Sequence, residues 1–256
     1  NSLVKRVLDS AGYVTVAFEN RAQGHFDLFE DIHLSHNPVI LEKMDLLSGI
    51  NEFESMVIDT SFLRIMVDMP QLIPKSLAGN IRSGEFYEHY LQTQYMLEEL
   101  PNLAQLDEPL FVFAHFMIPH DPFVFLPDGS FEFTGDQGSI IGYRNNVAFI
   151  DNHLPTTLER IIETSEVPPV IILMGDHGPT GKNVTPEMRM AILNAVYTDE
   201  AVKTSFYDEI TPVNTFRILL NHYFGKNLEL LEDISFHAYG VGKMNESNII
   251  PNTCSK

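Results

Sequence analysis

Two short stretches carry residues able to act together on one ion or one substrate: Pro119-His120-Asp121-Pro122 and Gly175-Asp176-His177-Gly178-Pro179. Adjacent Asp and His offer a carboxylate oxygen and an imidazole nitrogen to one point, a donor set that suits Zn²⁺ or Mn²⁺ better than Ca²⁺. Gly175 and Gly178 let the backbone bend closely around such an ion. The alternative reading of these residues is a solvated turn. His120, between two prolines, is held by a restricted backbone, as a ring aimed at a substrate oxygen must be; the alternative is a histidine on a surface loop. His115 sits inside an apolar run and reads first as a core histidine. His25, His33 and His36 lack ligand spacing and read as a solvated loop, and Asp59-Thr60-Ser61 reads as a helix N-cap rather than an activated hydroxyl.

Several other chemistries are excluded. Gly175 lies one residue too far from Gly181-Lys182 for a phosphate-binding loop, and Asn183 stands where Ser or Thr must hold Mg²⁺. No H-E-x-x-H, G-x-G-x-x-G or G-x-S-x-G is present. Cys254 is the single cysteine, so neither an intrachain disulfide nor a multi-thiolate zinc site can form.

Elements that could position the two stretches follow from the apolar spacing. Leu3, Val4, Val7 and Leu8 predict a helix stopped at Gly12, and 13–18 a strand. Short helices are expected at 41–47 and 60–68, and a longer one at 83–100, with Phe86, Tyr90 and Leu97 on one side and Pro101 as its stop. The apolar runs 110–116 and 170–174 predict strands covered on both faces, each ending just before one of the chemical stretches. Between them, Ile140, Val147, Ile150, Leu154, Leu158 and Ile161 predict a helix over 139–165, kinked near Pro155. A strand is expected at 190–197. Thr211 as N-cap and Pro212 at N1 open a last helix, with Val213, Phe216, Leu220 and Tyr223 on one face and Gly225 at its end. This alternation predicts an α/β fold with a mostly parallel sheet, whose ligands gather at the carboxyl ends of its strands.

The 256 residues suit one large domain, expected over 1–233 with a tail at 234–256. Sixteen Lys plus Arg against 35 Asp plus Glu give a net charge of −19, which argues against nucleic acid and against an anionic membrane surface as partners. No apolar run reaches the roughly 18 residues of a membrane-spanning helix, and 1–25 lack a signal-peptide pattern. The opening Asn-Ser, without Met, suggests a processed or excised form.

The strand and turn Val170-Ile-Ile-Leu-Met-Gly-Asp-His-Gly-Pro179 resemble the metal-binding strand of the sulfatase-like branch of the alkaline-phosphatase superfamily, which includes arylsulfatases, phosphoethanolamine transferases and lipoteichoic-acid synthases. Phe111–Phe125 (FVFAHFMIPHDPFVF) is similar to that branch's strand and substrate-facing histidine. Tyr143–Asp151 (YRNNVAFID) is similar to its long helix, and Thr211–Arg217 (TPVNTFR) to a C-terminal helix of its bacterial membrane-anchored members.

The resemblance implies an alkaline-phosphatase-like α/β/α fold with mostly parallel sheet, missing its first strand and nucleophile helix. It implies Asp176 and His177 as ligands of a divalent metal ion (Mn, Zn, Mg or Ca), with His120 as a substrate contact and His115 as a second residue at the substrate. The implied activity is metal-dependent hydrolysis or transfer at a sulfate or phosphate ester, lipid- or glycan-linked esters included, by a metal-activated Ser, Thr or formylglycine. Neither the acidic strand nor the nucleophile helix that opens the family's domain is visible, so the nucleophile is expected upstream and this fragment is expected to be inactive. The expected location is the extracytoplasmic face of a bacterial membrane, anchored through a segment absent from this chain, with the cytoplasm as the alternative. A second reading is a catalytically inactive module that binds a glycan or protein partner. A cytosolic phosphomutase-like member ranks last, because the tail supplies only His222 and His237 as further ligands.

Overall fold

Ser2 starts the first helix by accepting the backbone N–H of Lys5 at 3.1 Å, which satisfies one of the donors that a helix start leaves unpaired. This helix, α1, spans Leu3–Ser10. The computed structural model describes residues 2–18, 30–34, 75–132, 140–179, 184–237 and 248–251. The expected helices at 41–47 and 60–68, His25, His36, and 59–61 lie outside them. The chain divides into two compact units, Tyr13–Thr164 and a second made of Asn1–Gly12 with Ser165–Lys256.

In the unit Tyr13–Thr164, strand β1 (Val14–Phe18) is central in a three-stranded parallel sheet between β2 (Ile32–Leu34) and β3 (Leu110–Phe113). Its β-branched and apolar side chains are buried on both faces, Val16 completely. Strand β3 is less enclosed than expected, with Phe113 40% exposed. Helices α2 (Lys75–Leu103) and α3 (Ile140–Thr164) pack together. Leu97 from α2, Phe149 from α3, and Val124 and Phe125 from the intervening loop form one core, where the rings of Phe125 and Phe149 stack at 4.0 Å.

Pro101 does not stop α2 as expected; the helix runs on to Leu103. A proline removes the N–H that would bond the carbonyl four residues back, here that of Leu97. The Thr157 hydroxyl from α3 donates to that carbonyl at 3.2 Å and offsets the loss.

The other unit contains β4 (Ile171–Met174), α4 (Pro186–Met190), β5 (Asn194–Tyr197), α5 (Glu200–Lys203), α6 (Pro212–Phe224), β6 (Ile234–His237) and β7 (Asn248–Pro251). The expected parallel arrangement is met in part. Strand β4 pairs antiparallel with β5, Met174 opposite Asn194, and β6 pairs antiparallel with β7. The strand expected over 190–197 is shorter because Thr185 caps a helical turn by accepting Met188 N–H at 3.3 Å, with Pro186 at N1.

Helix α6 begins after Thr211 and ends at left-handed Gly225, as expected, but the Thr211 hydroxyl donates to Asp233 Oδ1 at 2.7 Å and does not cap the helix through its side chain. Its buried side differs: Asn214, Thr215, Ile218, Leu219 and Leu220 are enclosed, whereas Val213 is exposed. The reason lies in the extended chain that follows. Asn214 bonds both backbone groups of Leu231 (2.7 and 2.9 Å), and Asn221 does the same for Leu228 (2.9 and 2.7 Å). Arg217 donates to the Glu229 carbonyl at 2.7 Å. Polar residues one helical face apart thus replace the partners that a neighbouring strand would supply.

Candidate functional site

The turn after β4 is built by backbone contacts. Gly175 N–H donates to the Leu193 carbonyl at 2.9 Å, extending the β4–β5 pairing by one step. Gly178 N–H donates to the Arg189 carbonyl at 2.7 Å, which docks the turn on α4. A Cβ at Gly178 would lie 2.0 Å from the Met188 carbonyl oxygen and 2.8 Å from that of Ala191, so only glycine fits there.

Between these two glycines, His177 Nδ1 lies 2.7 Å from the Gly178 carbonyl oxygen. A carbonyl only accepts, so Nδ1 carries the hydrogen and Nε2 of the neutral ring presents a lone pair. That Nε2 is 3.5 Å from Asp176 Oδ2. Two ligand atoms bound at 2.0–2.1 Å in a tetrahedral zinc site stand about 3.4 Å apart, so the observed separation fits two ligands of one ion. The hydrogen bond on the remote nitrogen is the support that metal-ligating histidines ordinarily have. Asp176 is 80% exposed on its side chain, accessible from solvent. Among the described residues no group of three His, Cys, Asp or Glu gathers for a metal, so this pair supplies two ligands.

His120 and His115 belong to the unit Tyr13–Thr164, and Asp176 and His177 to the other. His120 is exposed, and its Nδ1 faces the Asp121 carbonyl oxygen at 2.6 Å and Asp121 Oδ1 at 2.9 Å. Two acceptors on Nδ1 again make Nε2 the atom left for chemistry. The peptide bonds to Pro119 and Pro122 are both cis. His115 is half-buried, its ring 6.3 Å from that of Phe113. His33 lies on β2 rather than in a loop, paired with Ala17, and its Nδ1 is 2.8 Å from Glu30.

Two residues that carry this geometry escape the sequence reading, and so does the orienting role of a third, Asp121. Asp121 orients His120. Arg189 Nη1 donates to the Gly178 carbonyl at 3.3 Å, the same oxygen that holds His177. His89, on α2, has its Nε2 buried with no hydrogen-bond partner among the described residues. Burial, and next the charge of His120, push His89 down to about 4, so it is neutral at pH 7. The one available signal was that both candidate histidines occur as His-x-Pro. The residue before a proline is held extended, and in both turns that residue supplies the carbonyl that fixes the ring.

Comparison of the chain with protein-family models, with curated proteins and with solved structures finds no match.

Proposed function

We propose that Asp176 and His177 are two ligands of a divalent cation in a hydrolase or transferase acting on a sulfate or phosphate ester, in the manner of the sulfatase-like branch of the alkaline-phosphatase superfamily and its α/β/α fold. The observation that carries this reading is the 3.5 Å approach of His177 Nε2 to Asp176 Oδ2 while Nδ1 is tied to Gly178. An imidazole nitrogen beside a carboxylate favours Zn²⁺ or Mn²⁺ over Mg²⁺ or Ca²⁺. Such an ion supplies Lewis acidity at the ester oxygen. It takes four or more ligands, so groups other than these two complete the site and provide the nucleophile.

Each residue has a distinct part. The Gly178 carbonyl keeps the His177 lone pair on Nε2. His120, in the other unit, has Nδ1 held by Asp121, and it and His115 are the groups the resemblance offers to a substrate, Nε2 donating to an ester oxygen only when the ring is protonated. The ester is anionic, and the extracytoplasmic face of a bacterial membrane is the proposed location.

Titration calorimetry with Mn²⁺ and Zn²⁺, with metal analysis of the same samples, tests this. Stoichiometric binding is expected, weakened by Asp176→Asn by at least the 10- to 100-fold seen for outer-shell partners. Absence of binding, or equal binding by wild type and Asp176→Asn, overturns it. The gathering of only two such ligands among the described residues favours one alternative, a non-catalytic module, which would bind a glycan or protein partner with an affinity indifferent to Asp176→Asn.

A further inference from the structure

Arg189 is the only cation that hydrogen-bonds to the Asp176–His177 turn among the described residues. It is half-buried, and no carboxylate pairs with it there. Its helical neighbour Glu187 is engaged elsewhere: its own backbone N–H, Thr185, and the charge of His237 hold that carboxyl below its usual range. One guanidinium nitrogen is spent on the Gly178 carbonyl, and the other N–H donors of the fork have no partner among the described residues. A half-buried arginine without an ion pair among the described residues, in a chain of net charge −19, calls for an explanation.

We infer that Arg189 is an oxyanion-binding residue that receives a tetrahedral anion, phosphate or sulfate, beside the Asp176–His177 pair. The inference rests on the proposed function above for the identity of the anion as part of an ester, while the anion site itself stands on Arg189. A planar fork of N–H donors matches two oxygens of such a group at once. The contact with Gly178 fixes the fork relative to the turn, because the carbonyl that anchors Arg189 also anchors His177. The anion would lie against the free edge of the guanidinium. Asp176 by itself would repel it, so a cation on the pair and Arg189 act in the same direction.

Calorimetry with inorganic phosphate, inorganic sulfate and phenyl phosphate, each with and without Mn²⁺, tests this on the wild-type chain, Arg189→Met and Arg189→Lys. Charge-assisted hydrogen bonds of 1.5–3 kcal/mol correspond to about a 10- to 150-fold rise in phosphate Kd for Arg189→Met, with Arg189→Lys in between. Tighter binding of phenyl phosphate than of inorganic phosphate would identify the ester as the occupant, and the reverse order would identify the free ion. Equal phosphate Kd for wild type and Arg189→Met, or no phosphate binding by wild type under either condition, overturns the inference. Mn²⁺ affinity on the same samples separates the two claims. Phosphate binding that needs Arg189 without any Mn²⁺ binding removes the metal and keeps the anion site; Mn²⁺ binding that needs Asp176 with phosphate indifferent to Arg189 does the opposite. If Arg189→Met fails to fold, the wild-type chain still decides: phosphate must slow phenylglyoxal modification of Arg189, read by mass spectrometry.

Discussion

The two histidine turns solve the same problem with the carboxylate on opposite sides. In both, Nδ1 bonds the carbonyl of the following residue, at 2.6 Å for His120 and 2.7 Å for His177. In the first turn the Asp follows the His and lies 2.9 Å from that same Nδ1, reinforcing the orientation and leaving Nε2 alone. In the second the Asp precedes the His and lies 3.5 Å from Nε2. His-Asp therefore makes an oriented hydrogen-bonding ring, and Asp-His makes a pair of lone-pair donors. The order of two adjacent residues decides whether the carboxylate reinforces the ring's orientation or stands beside its lone pair.

The sharpest way to break this comparison is at the residue after each histidine. Gly178→Ala places a Cβ within 2.0 Å of a backbone oxygen, which no side-chain motion relieves. A loss of about 3 kcal/mol or more is expected by chemical denaturation, together with loss of Mn²⁺ binding. Unchanged stability would show that the turn is not docked on α4 through Gly178. Next in size is the half-buried His89, whose Nε2 is enclosed. His89 binds its proton only below about 4 in the folded chain, against about 6.5 when unfolded. The unfolded state thus binds more protons between these values, and stability falls as pH drops through that window, by ~3 kcal/mol at its lower end. His89→Phe should flatten the dependence between pH 6.5 and 4 in denaturation curves; an unaltered slope would assign it to other groups.

Helix ends were readable where a proline or a glycine stands at them. The helix opened by Thr211-Pro212 and closed by Gly225 is the clearest instance, since each end is set by a residue's own backbone preference. Its buried face was not readable. Asn214 and Asn221 are enclosed because Leu231 and Leu228 need backbone partners, a demand set by chain that arrives only after the helix. Pro101 misled for the same reason, its cost being met by Thr157 from another helix. Strand β4 was legible as a strand, but its partner was not, because an apolar run of that length serves parallel and antiparallel pairing alike. In the site, the adjacency of Asp176 and His177 was visible as letters. The nitrogen that each carboxylate faces, and the approach of Arg189 to Gly178, come from the fold of the turns.

The smallest expected effect isolates what the comparison claims. If the pre-proline carbonyl fixes each ring and the carboxylate only adds to it, then Asp121→Ala leaves His120 protonated at Nδ1 in its neutral form, because the 2.6 Å bond to the backbone remains. The lost contact joins two half-exposed side chains, so stability should change by about 0–1 kcal/mol. Asp176→Ala likewise should leave His177 in the Nδ1–H form while removing Mn²⁺ binding, since its carboxylate faces the other nitrogen. Long-range ¹⁵N correlation spectra of the imidazoles read the tautomer directly. A switch of His120 to Nε2–H in Asp121→Ala would transfer the orienting role from the carbonyl to the carboxylate. The two turns would then differ in mechanism as well as in residue order.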